Sequence, residues 1–290
     1  MQSLRELQGI GGIIELTIKL NPLNDFYIPS WPGVFAAKVF YDIISRTGVK
    51  VSKREEKDFS LSPIRFDGDG QYPMAGVYPS RTRRHMRWLH VEKGRILILE
   101  AYLLSRKLAA RIVSELTRNP VINEPCGRLE LAGLHGRSIN IERVKGAVNG
   151  GSWTNLMLEV EYMTPTRFMM RGWCLDYPSP IRFLMSVAKS YYKATGLDVR
   201  DVVERLALSH VEFSKSGDRT RQCYVDIGHE GREPRLVKAF YGEASYILHI
   251  KKSLLPLIEQ LLKTASAMGV GAGRALGFGR TKIRKVDIRS

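Results

Sequence analysis

Lys38 and Tyr41 stand three residues apart in a stretch with helical patterning, and Lys50, Lys53, Arg54 and Lys57 crowd the segment that follows. Side chains three apart share one helix face, so an ammonium and a phenol would be presented together. A lysine desolvated beside other cations has a lowered pKa and exchanges protons, and with no shift at all it clamps a phosphate. Each lysine alone also reads as a solvated surface charge, so the cluster is the stronger signal. Histidine, the usual proton carrier near neutrality, does not occur in residues 31–66; the six in the chain are His85, His90, His135, His210, His229 and His249. None of them pairs at a metal-ligand spacing such as HExxH, so no metal and no cofactor are expected. A second cluster is Ser80-Arg-Thr-Arg-Arg-His-Met-Arg-Trp88, the densest basic run. Arg81, Arg83 and Arg84 suit bidentate phosphate contacts and Trp88 suits stacking on an unpaired base, although a solvated hairpin tip has the same composition.

The run Gly269-Val-Gly-Ala-Gly-Arg-Ala-Leu-Gly-Phe-Gly279 places five glycines in eleven residues. Before it, Leu254, Leu257, Ile258, Leu261 and Leu262 fall at helical spacing; after it, Arg280 to Ile288 alternates as a strand. A dinucleotide-binding GxGxxG runs from strand into helix, the reverse order, and no Gly-Lys-Ser/Thr follows to make a phosphate loop. A loop leaving a helix C-terminus meets a dipole that repels anions. Glycines here instead let the backbone lie close to a neighbouring helix or an extended polyanion. Gly269, Gly271, Gly273, Arg274, Gly277 and Gly279, with Arg280 and Lys282 on the strand beyond, form the candidate binding set. A long helix cap followed by a turn is the plainer alternative.

The elements that must position these residues follow from periodicity. Gly11–Leu20 alternates as a strand, Trp31–Thr47 is a helix, and 59–66, 72–78, 87–91 and 95–103 read as strands. Ser105 caps a helix to Thr117, and 128–146 reads as a hairpin turning near Gly136. Met157–Met163 is a strand, Pro180–Thr195 a helix, and Asp198 caps a helix reaching Ala207. Strands at 209–215, 222–228 and 244–250 precede a helix from Ser253 to Met268. Gly150-Gly151-Ser152 marks a boundary between two similar halves, 1–150 and 151–290. Each half approximates an antiparallel sheet with helices on one face, a ferredoxin-like α+β unit.

A net charge of +16 across 290 residues, with no tail holding the excess, points to a polyanion as partner. Cys126, Cys174 and Cys223 are too few and too scattered for a disulfide framework or thiolate zinc site, and they suit a reducing cytoplasm. No apolar run approaches the roughly 20 residues of a membrane span, so no membrane is expected.

The glycine-rich run resembles the C-terminal loop of the RAMP superfamily, and within it the CRISPR repeat-processing endoribonucleases. Tyr162-Met-Thr-Pro-Thr-Arg-Phe168 is similar to the segment ending the first strand of their second domain, and Tyr241-Gly-Glu-Ala-Ser-Tyr-Ile-Leu-His-Ile250 to the strand entering their last helix. The likeness covers 155–290 well and the first half in outline. It implies tandem ferredoxin-like domains, precursor CRISPR RNA as partner, and metal-independent cleavage within the repeat to a 2′,3′-cyclic phosphate and a 5′-hydroxyl. The family's histidine past the first helix has no counterpart here. Tyr41 matches its tyrosine in outline, and Lys38, Lys50 and Lys53 are the remaining catalytic candidates. A guide-RNA-binding subunit of a CRISPR effector complex shares the glycine loop and charge and is the main rival; a general basic nucleic-acid module explains the charge but not the order of the motifs. Homodimerisation stays open.

Overall fold

Strand β1 (Gly12–Pro22) buries Ile14, Leu16, Ile18 and Leu20 on one face, the period-2 pattern of a half-covered strand. In this computed structural model, which describes residues 12–49, 58–79, 88–144, 151–214, 218–230 and 233–287, that face carries two helices. The chain divides into two compact units. The first gathers Met1–Ile139, Tyr224–Val237 and Arg274–Phe278; the second gathers Asn140–Cys223, Lys238–Gly273 and Gly279–Ser290.

In the first unit β1 is followed by β2 (Phe26–Ile28), α1 (Pro32–Arg46), β3 (Phe59–Leu61), β4 (Arg65–Phe66), β5 (Val77–Tyr78), β6 (Leu89–Val91), β7 (Leu97–Leu103), α2 (Arg106–Arg118), β8 (Val121–Glu124) and β9 (Gly127–Asn140). The sheet runs β3-β7-β1-β9-β8, with β4 also on β7. Phe35, Val39, Phe40 and Ile43 of α1 pack with Leu108, Ile112 and Leu116 of α2 over the apolar face of β1. Each such side chain contributes roughly 1.5–3 kcal/mol on burial. Ser105 caps α2 as expected, its hydroxyl accepting from the Leu108 amide at 3.2 Å. Two strand expectations are corrected. Residues 59–66 split into β3 and β4 around Pro63, and 72–78 shrinks to Val77–Tyr78 because Pro73 cannot donate to a ladder. The hairpin expected near Gly136 is instead one continuous strand, β9. The turn lies at Pro125-Cys126, where β8 pairs with β9.

The second unit contains β10 (Trp153–Thr166), β11 (Phe168–Met170), β12 (Trp173–Leu175), α3 (Pro180–Thr195), α4 (Arg200–Ser209), β13 (Val211–Ser214), β14 (Arg221–Glu230), β15 (Glu233–Lys251), α5 (Leu255–Met268) and β16 (Thr281–Asp287), although the distal parts of β14 and β15 count with the first unit. Its sheet is ordered β16-β10-β15-β14, with β13 on β15. Leu156, Leu158, Val160 and Tyr162 of β10 are buried with Phe183 and Val187 of α3 and Leu257 and Leu261 of α5. α3 begins at Pro180 behind its Ser179 cap and stops at Gly196, whose φ of 72° supplies the left-handed C-cap. Val199, not Asp198, holds the N-cap position of α4; Asp198 accepts from the Arg200 amide and pairs with its guanidinium. Both units thus have the ferredoxin-like antiparallel α+β build.

Candidate nucleic-acid interface

Helix α1 starts where three constraints meet. Pro32 pre-sets the first turn, Trp31 is fully buried with its indole N–H donating to the Leu276 carbonyl at 2.8 Å, and Gly33 lies so close that a Cβ there would sit 2.0 Å from the same carbonyl. The segment Arg274–Phe278 of the glycine-rich run is therefore seated on the entry to α1, within the first unit. A Cβ on Gly277 would come within 2.9 Å of the Pro63 nitrogen, and its φ is +75°. The sequence reading missed Gly33 and Trp31; Trp-Pro-Gly opening a helix was the available signal.

The rest of the run belongs to the second unit. The Gly279 amide donates to the Pro165 carbonyl at 3.0 Å and the Arg280 amide to Thr164 Oγ1 at 2.9 Å. The Thr164-Pro-Thr166 segment and the end of the glycine run, more than a hundred residues apart in sequence, are thus one hydrogen-bonded structure. The Val270 amide donates to the Gly279 carbonyl at 2.8 Å, and a Cβ on Gly279 would lie 1.8 Å from the Val270 carbonyl oxygen. Gly271, at φ +77°, faces the Arg167 carbonyl at 2.4 Å in the same sense. Of the two expected close approaches, helix or polyanion, the space beside these glycines is filled by the protein's own backbone. Gly273, at φ +83°, is exposed.

The arginines are corrected likewise. Arg280 is 4% exposed, and its Nη1 and Nη2 donate to the Ala267 and Ser266 carbonyls at 2.6 and 3.1 Å. It satisfies the carbonyls and negative dipole end that α5 leaves open, so it does not face an external phosphate. Arg274 is 7% exposed, again buried. Lys282 is exposed in a groove lined by Glu159, Glu161, Arg219, Glu243 and Arg284. Arg284 pairs with Glu159 and Arg219 with Glu243, so that face carries interleaved charge rather than a positive stripe.

On α1, Lys38 is exposed and Tyr41 half-buried, its ring edge-on to Phe59 of β3 at 5.7 Å. Burial pushes the Tyr41 phenol above its ordinary 10.0. The charge of Lys38 acts on Glu124 and Cys126, at the turn between β8 and β9. Burial first, then Asp42, raises the Glu124 carboxyl, while Lys38 and Arg46 oppose the shift. Asp42 pairs with Arg46, which also donates to the Val121 carbonyl at 2.8 Å. β3, which packs against Tyr41, and β8, which leads into the turn that feels the charge of Lys38, are opposite edges of the sheet. Lys50, Lys53, Arg81, Arg83, Arg84 and His85 lie outside the described residues. Among the described residues no group of three or more His, Cys, Asp or Glu could hold a metal, and no helix is long and apolar enough to cross a membrane.

Residues 160–281 match the model of the CRISPR-associated endoribonuclease family Cas6. No curated protein matches the chain in sequence. Among solved structures, a Cas6 product complex superposes with a TM-score of 0.65 at 17% identity, covering 93% of this chain and 98% of that one. A Thermus thermophilus Cas6 gives 0.62 at 15% identity over 95% and 100%. A Cas6-related protein of Pyrococcus furiosus gives 0.55 at 14% over 94% and 99%.

Proposed function

We propose that this chain is a Cas6-type protein that binds CRISPR repeat RNA and cuts the precursor within the repeat without a metal, a reading supported by its fold and by the family match over residues 160–281. The observation that supports this most is the continuity of the matched region with α1. The glycine-rich run, inside the match, is seated by Arg274–Phe278 on the entry to the helix that carries the lysine and tyrosine candidates.

Cleavage of this class needs a base for the 2′-hydroxyl, an acid for the 5′-oxygen, and a cation for the phosphorane charge. Lys38 is our candidate for the last role, a reading supported by its exposure on α1. Burial raises the Tyr41 phenol from an ordinary value already well above neutrality, which supports a role as proton donor rather than base. Lys50 and Lys53 are the further candidates for proton transfer. The products would be a 2′,3′-cyclic phosphate and a 5′-hydroxyl.

Incubation of the purified protein with repeat RNA in EDTA tests the reading. A single specific cut, with those ends, supports it. Tight binding with no cut favours the rival, a guide-RNA-binding subunit of an effector complex, which the missing histidine keeps in contention.

A further inference from the structure

We propose that the outward face of the β2–β6 ribbon, formed by Tyr27, Trp88 and His90, is a stacking platform for an unpaired RNA base. The inference rests on the RNA-binding reading but not on cleavage.

The ribbon pairs Phe26 with Val91, Tyr27 with His90, and Ile28 with Leu89. Its inward side chains obey ordinary core chemistry: Phe26, Ile28 and Val91 are 4%, 1% and 0% exposed. The outward side does not. Tyr27 and Trp88 are 53% and 52% exposed, although an outward strand position is stably filled by any polar residue. Nor are the rings scattered. Tyr27 and His90 stack with centroids 4.7 Å apart and planes 28° from parallel, and Trp88 meets Tyr27 edge-on at 6.0 Å. Rings already held against one another lose little freedom when a flat ligand joins them. Clustered, exposed aromatics on a solvent face mark a binding site rather than a packing need.

Charge selects the ligand. Trp88 directly follows Arg81-Thr-Arg-Arg-His-Met-Arg87, the densest basic run of a chain with net charge +16. At the other end of the ribbon, Asp25 accepts from the Lys93 amide at 2.7 Å and Glu92 lies 3.9 Å from His90. Exposed, mutually stacked aromatic faces in so basic a chain fit a base of a polyanionic single strand. A paired stem keeps its bases inside the helix, so the platform takes an unpaired stretch.

The probe is a single-stranded uridine oligonucleotide, unrelated to any repeat, alongside a fully paired RNA stem, both titrated into full-length protein. Trp88→Ala and Tyr27→Ala should each weaken oligouridine binding roughly 5- to 150-fold, the range for one lost base–aromatic stack. Stem binding should hold, the melting temperature should hold, and the slope of affinity against salt should not change, because no phosphate contact is removed. Trp88→Phe should restore most of the loss. Unchanged oligouridine binding, an equal loss for stem and single strand, or a change in self-association in place of RNA affinity would each overturn the proposal. Loss of oligouridine binding in a protein that shows no preference for repeat RNA would instead count against the CRISPR reading and leave the platform standing.

Discussion

At Gly269, Gly271, Gly277 and Gly279, backbone atoms of the protein already occupy the place of a side chain; at Gly279 the gap to the Val270 carbonyl is 1.8 Å. On the outward face of α1 the reverse holds, for Lys38 projects into solvent and no packing fixes its identity. The two regions touch the same proposed function by different routes. The glycines are set by sterics, and altering them breaks the scaffold. Lys38 is exposed, so altering it disturbs packing far less. A loss of activity from a glycine variant therefore says little about RNA contact, whereas a loss from Lys38→Ala says a great deal.

The largest effect belongs to the first kind. Gly279→Ala puts a methyl group into a carbonyl at φ +74° and should cost at least about 3 kcal/mol, read as lost soluble yield and a collapsed thermal melt. Gly271→Asp should behave alike, since its Cβ would meet Arg167. Gly273→Ala is the internal contrast: exposed, it bears only the left-handed backbone penalty of about 1–2 kcal/mol. Equal melts for Gly279→Ala and Gly273→Ala would erase the distinction.

Next comes α1. Lys38→Ala and Tyr41→Phe should slow cleavage roughly 10- to 1,000-fold, in the range for lost charge stabilisation or proton transfer, with the melt and RNA affinity nearly unchanged. Because burial holds the phenol above 10.0, the wild-type rate should show no inflection from Tyr41 as pH rises through neutrality. Full single-turnover rates in both variants would remove these residues from the site.

Arg280→Met should cost about 1–3 kcal/mol through two charged hydrogen bonds to the end of α5, measured by chemical denaturation. It should leave the salt slope of RNA binding alone; a flattened slope would return Arg280 to the interface.

The smallest effect concerns Glu124. Its folded pKa is raised from 4.5, chiefly by burial, so the folded chain holds that proton more tightly than the unfolded one. The stabilisation is complete below the ordinary value and lost as pH rises through the raised one. Glu124→Gln should therefore melt slightly higher than wild type at pH 7 and no higher near pH 4. A gain of the same size at both pH values would assign the effect to packing.

Local chemistry made much of this molecule readable from the chain. α3 runs from Pro180 to Thr195 as its apolar spacing and Gly196 require, Ser105 caps α2, and β1 alternates. Each rests on residues within a few positions of one another, where periodicity and capping act. The hairpin expected near Gly136 failed because the turn at Pro125-Cys126 let one long strand continue past a glycine that pairing could absorb. What the sequence alone determined, then, was the helices, several of the strands, the basic character and the motifs. Only the tertiary structure decided their partners. It buried Arg280 on the end of α5, set Tyr41 against Phe59, and bonded Thr164-Pro-Thr166 to Gly279 and Arg280. It also brought Tyr27 against His90, two rings whose strands lie far apart in the chain. Such pairings depend on register and burial between distant segments, and no local spacing encodes them.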